Sequence, residues 1–115
     1  MPDPMDQTDI DDGTADRSLL DAPGISLVVF HSQGCPNCRV ARERLPRFEL
    51  PAERIFWVDA GRNGGLVERY EVFHLPAIHV VRDGAYYGPI SAQLADWDLR
   101  QQIAQALDNH PAELP

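Results

Sequence analysis

Nothing limits the folds open to this chain so tightly as one short stretch: the apolar run Ile25 to Phe30 (ISLVVF) leads through Ser32-Gln33-Gly34 into Cys35-Pro36-Asn37-Cys38. A run of branched and aromatic residues that is apolar on both faces predicts a strand buried on both sides. Cys35 falls where an N-cap residue would stand, and Pro36 suits the first helical position because that position needs no donor and Pro already has a helical φ. After Cys38, the stretch RVARERLPRF puts Val40, Ala41 and Leu45 near one helical face, with Pro46 kinking or ending the helix. The N–H groups of Asn37 and Cys38 are then expected to face the Cys35 sulfur, and the helix dipole favours its thiolate. Such a setting lowers a Cys pKa from about 8.5 into the range of roughly 3.5–7.5. Cys35 is therefore the expected nucleophile and Cys38, one turn later and shielded, the resolving thiol.

The rest of the chain surrounds this junction with alternating elements. Residues 1–14 hold two Pro and many Asp without a periodic apolar face, which predicts an acidic, flexible tail. Ala15 to Ala22 suits a short helix stopped by Pro23-Gly24. Arg54 to Asp59 reads as a second central strand, and Asn63-Gly64-Gly65 opens a helix containing Leu66, Val67 and Tyr70. Strand, helix, strand, helix favours parallel pairing through right-handed crossovers. Beyond Pro76, AIHVVR and AYYG flank Asp83-Gly84, a strong hairpin signal that makes the last two strands antiparallel. Leu94, Trp97, Ile103, Ala104 and Leu107 recur at helical spacing and predict a C-terminal helix packed on the sheet. One domain is expected over residues 15–110, with a short C-terminal tail at 111–115.

Charge and composition narrow the function classes. The 115 residues are 43% hydrophobic and 24% charged, the proportions of a globular chain. The net charge of −8 is uneven: residues 1–24 hold seven Asp and one Arg, which leaves the remainder at about −2. A nearly neutral body with scattered Arg provides no basic stripe, so neither a nucleic-acid partner nor a membrane surface is expected. The N-terminus does not read as a signal peptide and no window reaches transmembrane length, which makes the cytoplasm the expected compartment. There, a C-x-x-C pair is expected to be catalytic or metal-binding, not a structural staple. A zinc site or iron–sulfur cluster would need His31, His74, His79 or His110 to complete its ligands, since the chain has only two Cys. The expectation is no metal and no cofactor beyond the Cys35–Cys38 disulfide itself.

Taken together, ISLVVF, CPNC, the strand ending in Val58-Asp59, Tyr70-x-Val72-x-x-x-Pro76, the strand after Pro76 and Asp83-Gly84 resemble the thioredoxin family, in order, over roughly residues 15–108. The resemblance implies an α/β three-layer sandwich: a central mixed sheet flanked by helices, with four strands, or five if a weak edge strand is present. It further implies that Pro76 is a cis-proline lying against the disulfide and that Leu75 offers backbone hydrogen bonds to an extended substrate. Pro36 and Asn37 complete the expected substrate-binding set.

Several positions depart from the family pattern. Gly34 stands where thioredoxins have a Trp, Val29 where they bury an acidic residue under the second Cys, and Ser91-Ala92 where a glycine usually faces the disulfide. CPNC also resembles the CPYC of glutaredoxins, but the paired glycines beyond the cis-proline are missing because Gly88 is followed by Pro89. His31 and His74 are each candidates to stabilise the Cys35 thiolate or to accept a proton, and His31 and Asp59 for a proton relay. Trp57, Trp97, Tyr86 and Tyr87 are expected in the core and on the sheet faces.

On these readings the chain is expected to be a thiol–disulfide oxidoreductase that reduces protein disulfides. Its expected partners are protein disulfide substrates and a reductase or other thiol donor, and it is expected to act as a monomer. The alternative is a non-catalytic adaptor or assembly chaperone that presents the Pro76 groove to a protein partner.

Overall fold

A computed structural model describes residues 5–115. Five strands form one sheet in the order β1-β3-β2-β4-β5, from β1 (Asp6–Ile10), β2 (Ile25–His31), β3 (Arg54–Asp59), β4 (Ala77–Arg82) and β5 (Ala85–Ile90). β3 runs parallel to both β1 and β2, whereas β4 is antiparallel to β2 and to β5. The helices are α1 (Ala15–Asp21), α2 (Pro36–Arg44), α3 (Gly64–Arg69) and α4 (Asp96–Leu107).

The central strands read as apolar runs because both of their faces are buried. Leu27 and Val29 of β2, with Ile55, Trp57, Ile78 and Val80, point to a core shared with Ala41 of α2 and Leu99, Ile103 and Ala106 of α4. Their alternates, Val28, Phe30, Phe56, Val58, Ala77 and Val81, meet Ala15 and Leu19 of α1 and Leu66 of α3 on the other face. That is the period-two alternation of a sheet sandwiched between helical layers. The Asp83-Gly84 turn joins β4 to β5 with both residues at positive φ, 52° and 77°, as a two-residue hairpin requires. Gly84 is also held close: a Cβ there would sit 3.3 Å from the Leu20 backbone.

Three expectations are corrected. The segment expected to be a flexible tail through Thr14 supplies the edge strand β1, while residues 1–4 lie outside the described residues. Pairing needs only backbone groups, so a polar strand joins the sheet once Ile10 is buried, the Met5 amide donates to Pro46 O and Trp57 Nε1 donates to Gln7 Oε1 at 2.9 Å. Polar residues along an edge also discourage pairing with another chain. At the other terminus Ala112 bridges Tyr86 through hydrogen bonds of 2.8 and 2.9 Å and Leu114 packs against the core, so 111–115 is not a free tail. Finally, Trp97 is 56% exposed and Ala104 faces solvent, because the buried stripe of α4 runs through Leu99, Ile103 and Ala106. Trp57 and Tyr87 are buried as expected, and Tyr86 is half-buried.

Candidate functional site

The Cys pair stands at the C-terminal end of β2, where the chain turns into α2. Cys35 is the N-cap of α2, with extended backbone, and Pro36 opens the first turn. Of the two amides expected to face the sulfur, that of Cys38 makes the bond, donating to Cys35 Sγ at 3.1 Å. The two cysteines form a disulfide, with Cα atoms 5.2 Å apart. Their accessibilities differ in the sense the chemistry needs: Cys35 is partly exposed, Cys38 only 2%. A sulfur that accepts from a helix-start amide is stabilised as an anion once the disulfide opens, and its buried partner is close enough to close the bond again.

Two openings flank α2. On one side a groove of about 460 Å³ runs between Asn37 and Val40 of α2, His74-Leu75-Pro76, and Ser91 to Leu94. The Leu75–Pro76 peptide is cis. Three of the four expected substrate-binding residues, Asn37, Leu75 and Pro76, thus line one groove, while Pro36 stands exposed at the start of α2. The rim at Gln93 is pinned by a 2.8 Å bond from its amide to Asp98 Oδ2 of α4. Ser91 and Ala92, two of the departures from the family pattern, lie in this groove wall.

On the other side of α2 a smaller cavity of about 190 Å³ is lined by His31, Ser32, Gln33, Cys38, Arg39 and Arg42. His31 packs edge-on against Trp57, with centroids 5.6 Å apart, and its Nε2 faces Arg42 Nη1 at 3.5 Å. Burial and the neighbouring Arg42 charge lower the His31 pKa, against the opposing pull of Asp59 and Asp9. Asp59 itself holds a local turn: Oδ1 accepts from the Gly61 amide at 2.9 Å, and the carboxylate pairs with Arg62 at 3.8 Å. It borders a neighbouring pocket with His31 and Asp9, but not the cavity that contains Cys38. His74 is exposed on the groove side, away from His31.

One buried titratable group escaped the sequence reading as a structural element. His79 of β4 is 3% exposed and stacks among Phe30, Tyr70 and Tyr86, with Nδ1 2.7 Å from the Tyr86 hydroxyl. Burial, with a smaller contribution from His74, pushes its pKa down to about 4. Tyr70 beside it has a buried hydroxyl without a hydrogen-bond partner, and burial raises its pKa to about 12. Among the described residues, no three His, Cys, Asp or Glu side chains gather where they could hold a metal ion, and no helix is long and apolar enough to cross a membrane.

No protein-family model matches the chain. Among curated proteins it is 27% identical over 111 residues to protein disulfide-isomerase A3 of Gallus gallus, covering 88% of this chain but only 21% of that protein's length. Among solved structures it is similar to thioredoxin from Trypanosoma brucei brucei, with a TM-score of 0.72 at 20% identity, covering 94% of this chain and 96% of that one. It is also similar to the zinc-bound form of human ERp44, with a TM-score of 0.69 at 19% identity, covering 87% of this chain and 31% of that one. The sheet order, the disulfide at the start of α2 and these likenesses together show a thioredoxin-like fold that carries a Cys35–Cys38 disulfide.

Proposed function

We propose that the chain is a thiol–disulfide oxidoreductase that reduces disulfides in protein substrates, working in a cytosolic setting where thiol pairs are kept reduced. The observation that carries this reading is the asymmetry of the pair: Cys35 caps α2 and is partly exposed, while Cys38 is buried one turn away. In the reduced protein the Cys35 thiolate attacks one sulfur of a substrate disulfide, and the other sulfur leaves as a thiolate. Cys38 then loses its proton and attacks Cys35, and the electron pair of the mixed disulfide departs on the second substrate sulfur. The substrate gains two electrons and the Cys pair becomes the disulfide, which a thiol donor or reductase returns to the dithiol. The groove beside Pro76 supports a role in holding the extended substrate segment, with Leu75 and Asn37 on its walls.

The test is turnover of insulin disulfides with thioredoxin reductase, or with dithiothreitol as the donor. Activity should appear with the unmodified chain and vanish in Cys35→Ser. Failure with every donor would remove the reducing role.

A second reading, a protein-docking adaptor, is favoured by Phe73, which is 89% exposed and directly precedes the groove residue His74. The Cys38→Ser chain separates the two readings. An enzyme should trap substrates covalently and release them with dithiothreitol, whereas an adaptor should hold its partner even when both cysteines are Ser.

A further inference from the structure

Resolution of the mixed disulfide requires the Cys38 thiol to give up a proton, and the surroundings of that sulfur restrict where it can go. The core face beneath α2 is built from Leu27, Val29, Ala41, Leu45, Ile55 and Trp57, none of which accepts a proton. Cys38 does line the cavity of about 190 Å³ on the outer flank of α2. A space of that size holds several waters at about 30 Å³ each. Among its lining residues, His31 alone carries a group that takes up a proton near neutral pH.

The imidazole is held from two sides. Trp57 packs against it edge-on at 5.6 Å, and Arg42, which lies 4.6 Å over the same indole, places Nη1 3.5 Å from Nε2. A guanidinium only donates, so Nε2 accepts in this contact and is the basic nitrogen of the neutral ring; a proton that arrives there takes the place of the Arg42 N–H. Arg42 is in turn gripped by the edge strand: both Asp9 oxygens accept from it, at 3.1 and 3.4 Å.

Resting on the oxidoreductase reading, we infer that His31 accepts the Cys38 proton through this cavity, and that Arg42, anchored by Asp9 of β1, is the positioning residue that sets the imidazole. In the resolving step the Cys38 S–H proton passes through water to His31 and the Cys38 sulfur bonds to Cys35. The Cys35–substrate bond breaks, and its electron pair leaves on the substrate sulfur. The imidazolium then returns its proton to solvent or to that departing thiolate.

The charged groups around the ring are Arg42 and Arg39 from α2, Asp9 from β1, Asp11 from the turn after it, Asp59 from β3, and Arg62 from the turn beyond, which pairs with Asp59. Burial and Arg42 prevail over the carboxylates and hold the pKa below 6.5, so the ring is neutral and able to accept a proton at pH 7.

A reduced sample mixed with an aromatic disulfide that releases a coloured thiolate separates the steps. The first colour phase reports attack by Cys35, and the second reports resolution by Cys38. His31→Gln should leave the first phase nearly unchanged and slow the second by on the order of 100-fold at pH 7. In the unmodified chain the second phase should weaken as pH falls through a midpoint below 6.5. Arg42→Met should move that midpoint upward by removing the neighbouring positive charge. Arg42 is a surface side chain, so this variant carries the test even where His31→Gln folds poorly. An unchanged second phase in a folded His31→Gln chain, or a midpoint that Arg42→Met does not move, overturns the inference and leaves the oxidoreductase reading standing. Absence of the first phase in the unmodified chain overturns both.

Discussion

His79 makes folding depend on pH through its burial. In the unfolded chain its imidazole titrates near 6.5, whereas burial among Phe30, Tyr70 and Tyr86 pushes it down to about 4 in the fold. Between those values only the unfolded chain holds the extra proton. The stability contribution is therefore complete above pH 6.5 and is lost as pH falls toward 4, at about 1.4 kcal/mol per unit. His79→Phe keeps an aromatic ring in the cluster and removes the proton. Urea midpoints measured at pH 7 and pH 4.5 should fall less in that variant than in the unmodified chain, and equal falls in both would rule this account out. The contrast with the Cys pair is one of range. Cys35, Pro36 and Cys38 were legible because capping chemistry acts within four successive residues. The His79, Tyr86 and Tyr70 cluster was not, because it is assembled by the β4–β5 hairpin and by the segment after α3, and no periodicity in the chain marks that meeting.

At the level of elements, β1 is the least apolar and the most dependent on its neighbours. Four of its five residues are exposed, and only Ile10 enters the core. Its side-chain partners lie elsewhere in sequence: Trp57 for Gln7 and Arg42 for Asp9. The following turn is tied down as well, since Asp12 Oδ1 accepts the Leu66 amide at 2.9 Å in the first turn of α3. The central strands β2, β3 and β4 could be read because burial on both faces leaves an apolar signature, and β5 because the Asp83-Gly84 turn announces it. An edge strand held by backbone bonds and borrowed polar partners leaves none, and an Asp-rich stretch looks the same whether it is solvated or docked. Ile10→Ala should consequently cost about 2 kcal/mol, the low end for a buried aliphatic truncation, while Thr8→Ala costs under about 0.5 kcal/mol. Urea denaturation of the two variants measures both. Equal effects would mean that β1 is held by its backbone alone.

Across the whole molecule, the sheet is the wall shared by two cores, and this decides how the domain comes apart. β2 sends Leu27 and Val29 to the α2–α4 side and Val28 and Phe30 to the α1–α3 side, and β3 divides Ile55 and Trp57 from Phe56 and Val58 in the same way. Neither helical layer can leave without exposing one face of strands that the other layer still needs buried, so the loss of one removes the support of the other. Parallel β2–β3 pairing and the antiparallel hairpin were readable from element order and turn chemistry, but this mutual dependence follows from which side chains meet across the layers. The chain has two Trp, and Trp97 is 56% exposed at the surface of α4, whereas Trp57 is wholly buried in the α2–α4 core. In a Trp97→Phe background, emission reports Trp57 alone, and that surface change should leave stability within about 0.5 kcal/mol. Urea unfolding followed by Trp57 emission and by far-UV circular dichroism should then give one midpoint and one slope. An α1–α3 layer able to melt by itself would instead show as a loss of helical signal before the Trp57 emission changes, and the shared-wall argument would fall with it.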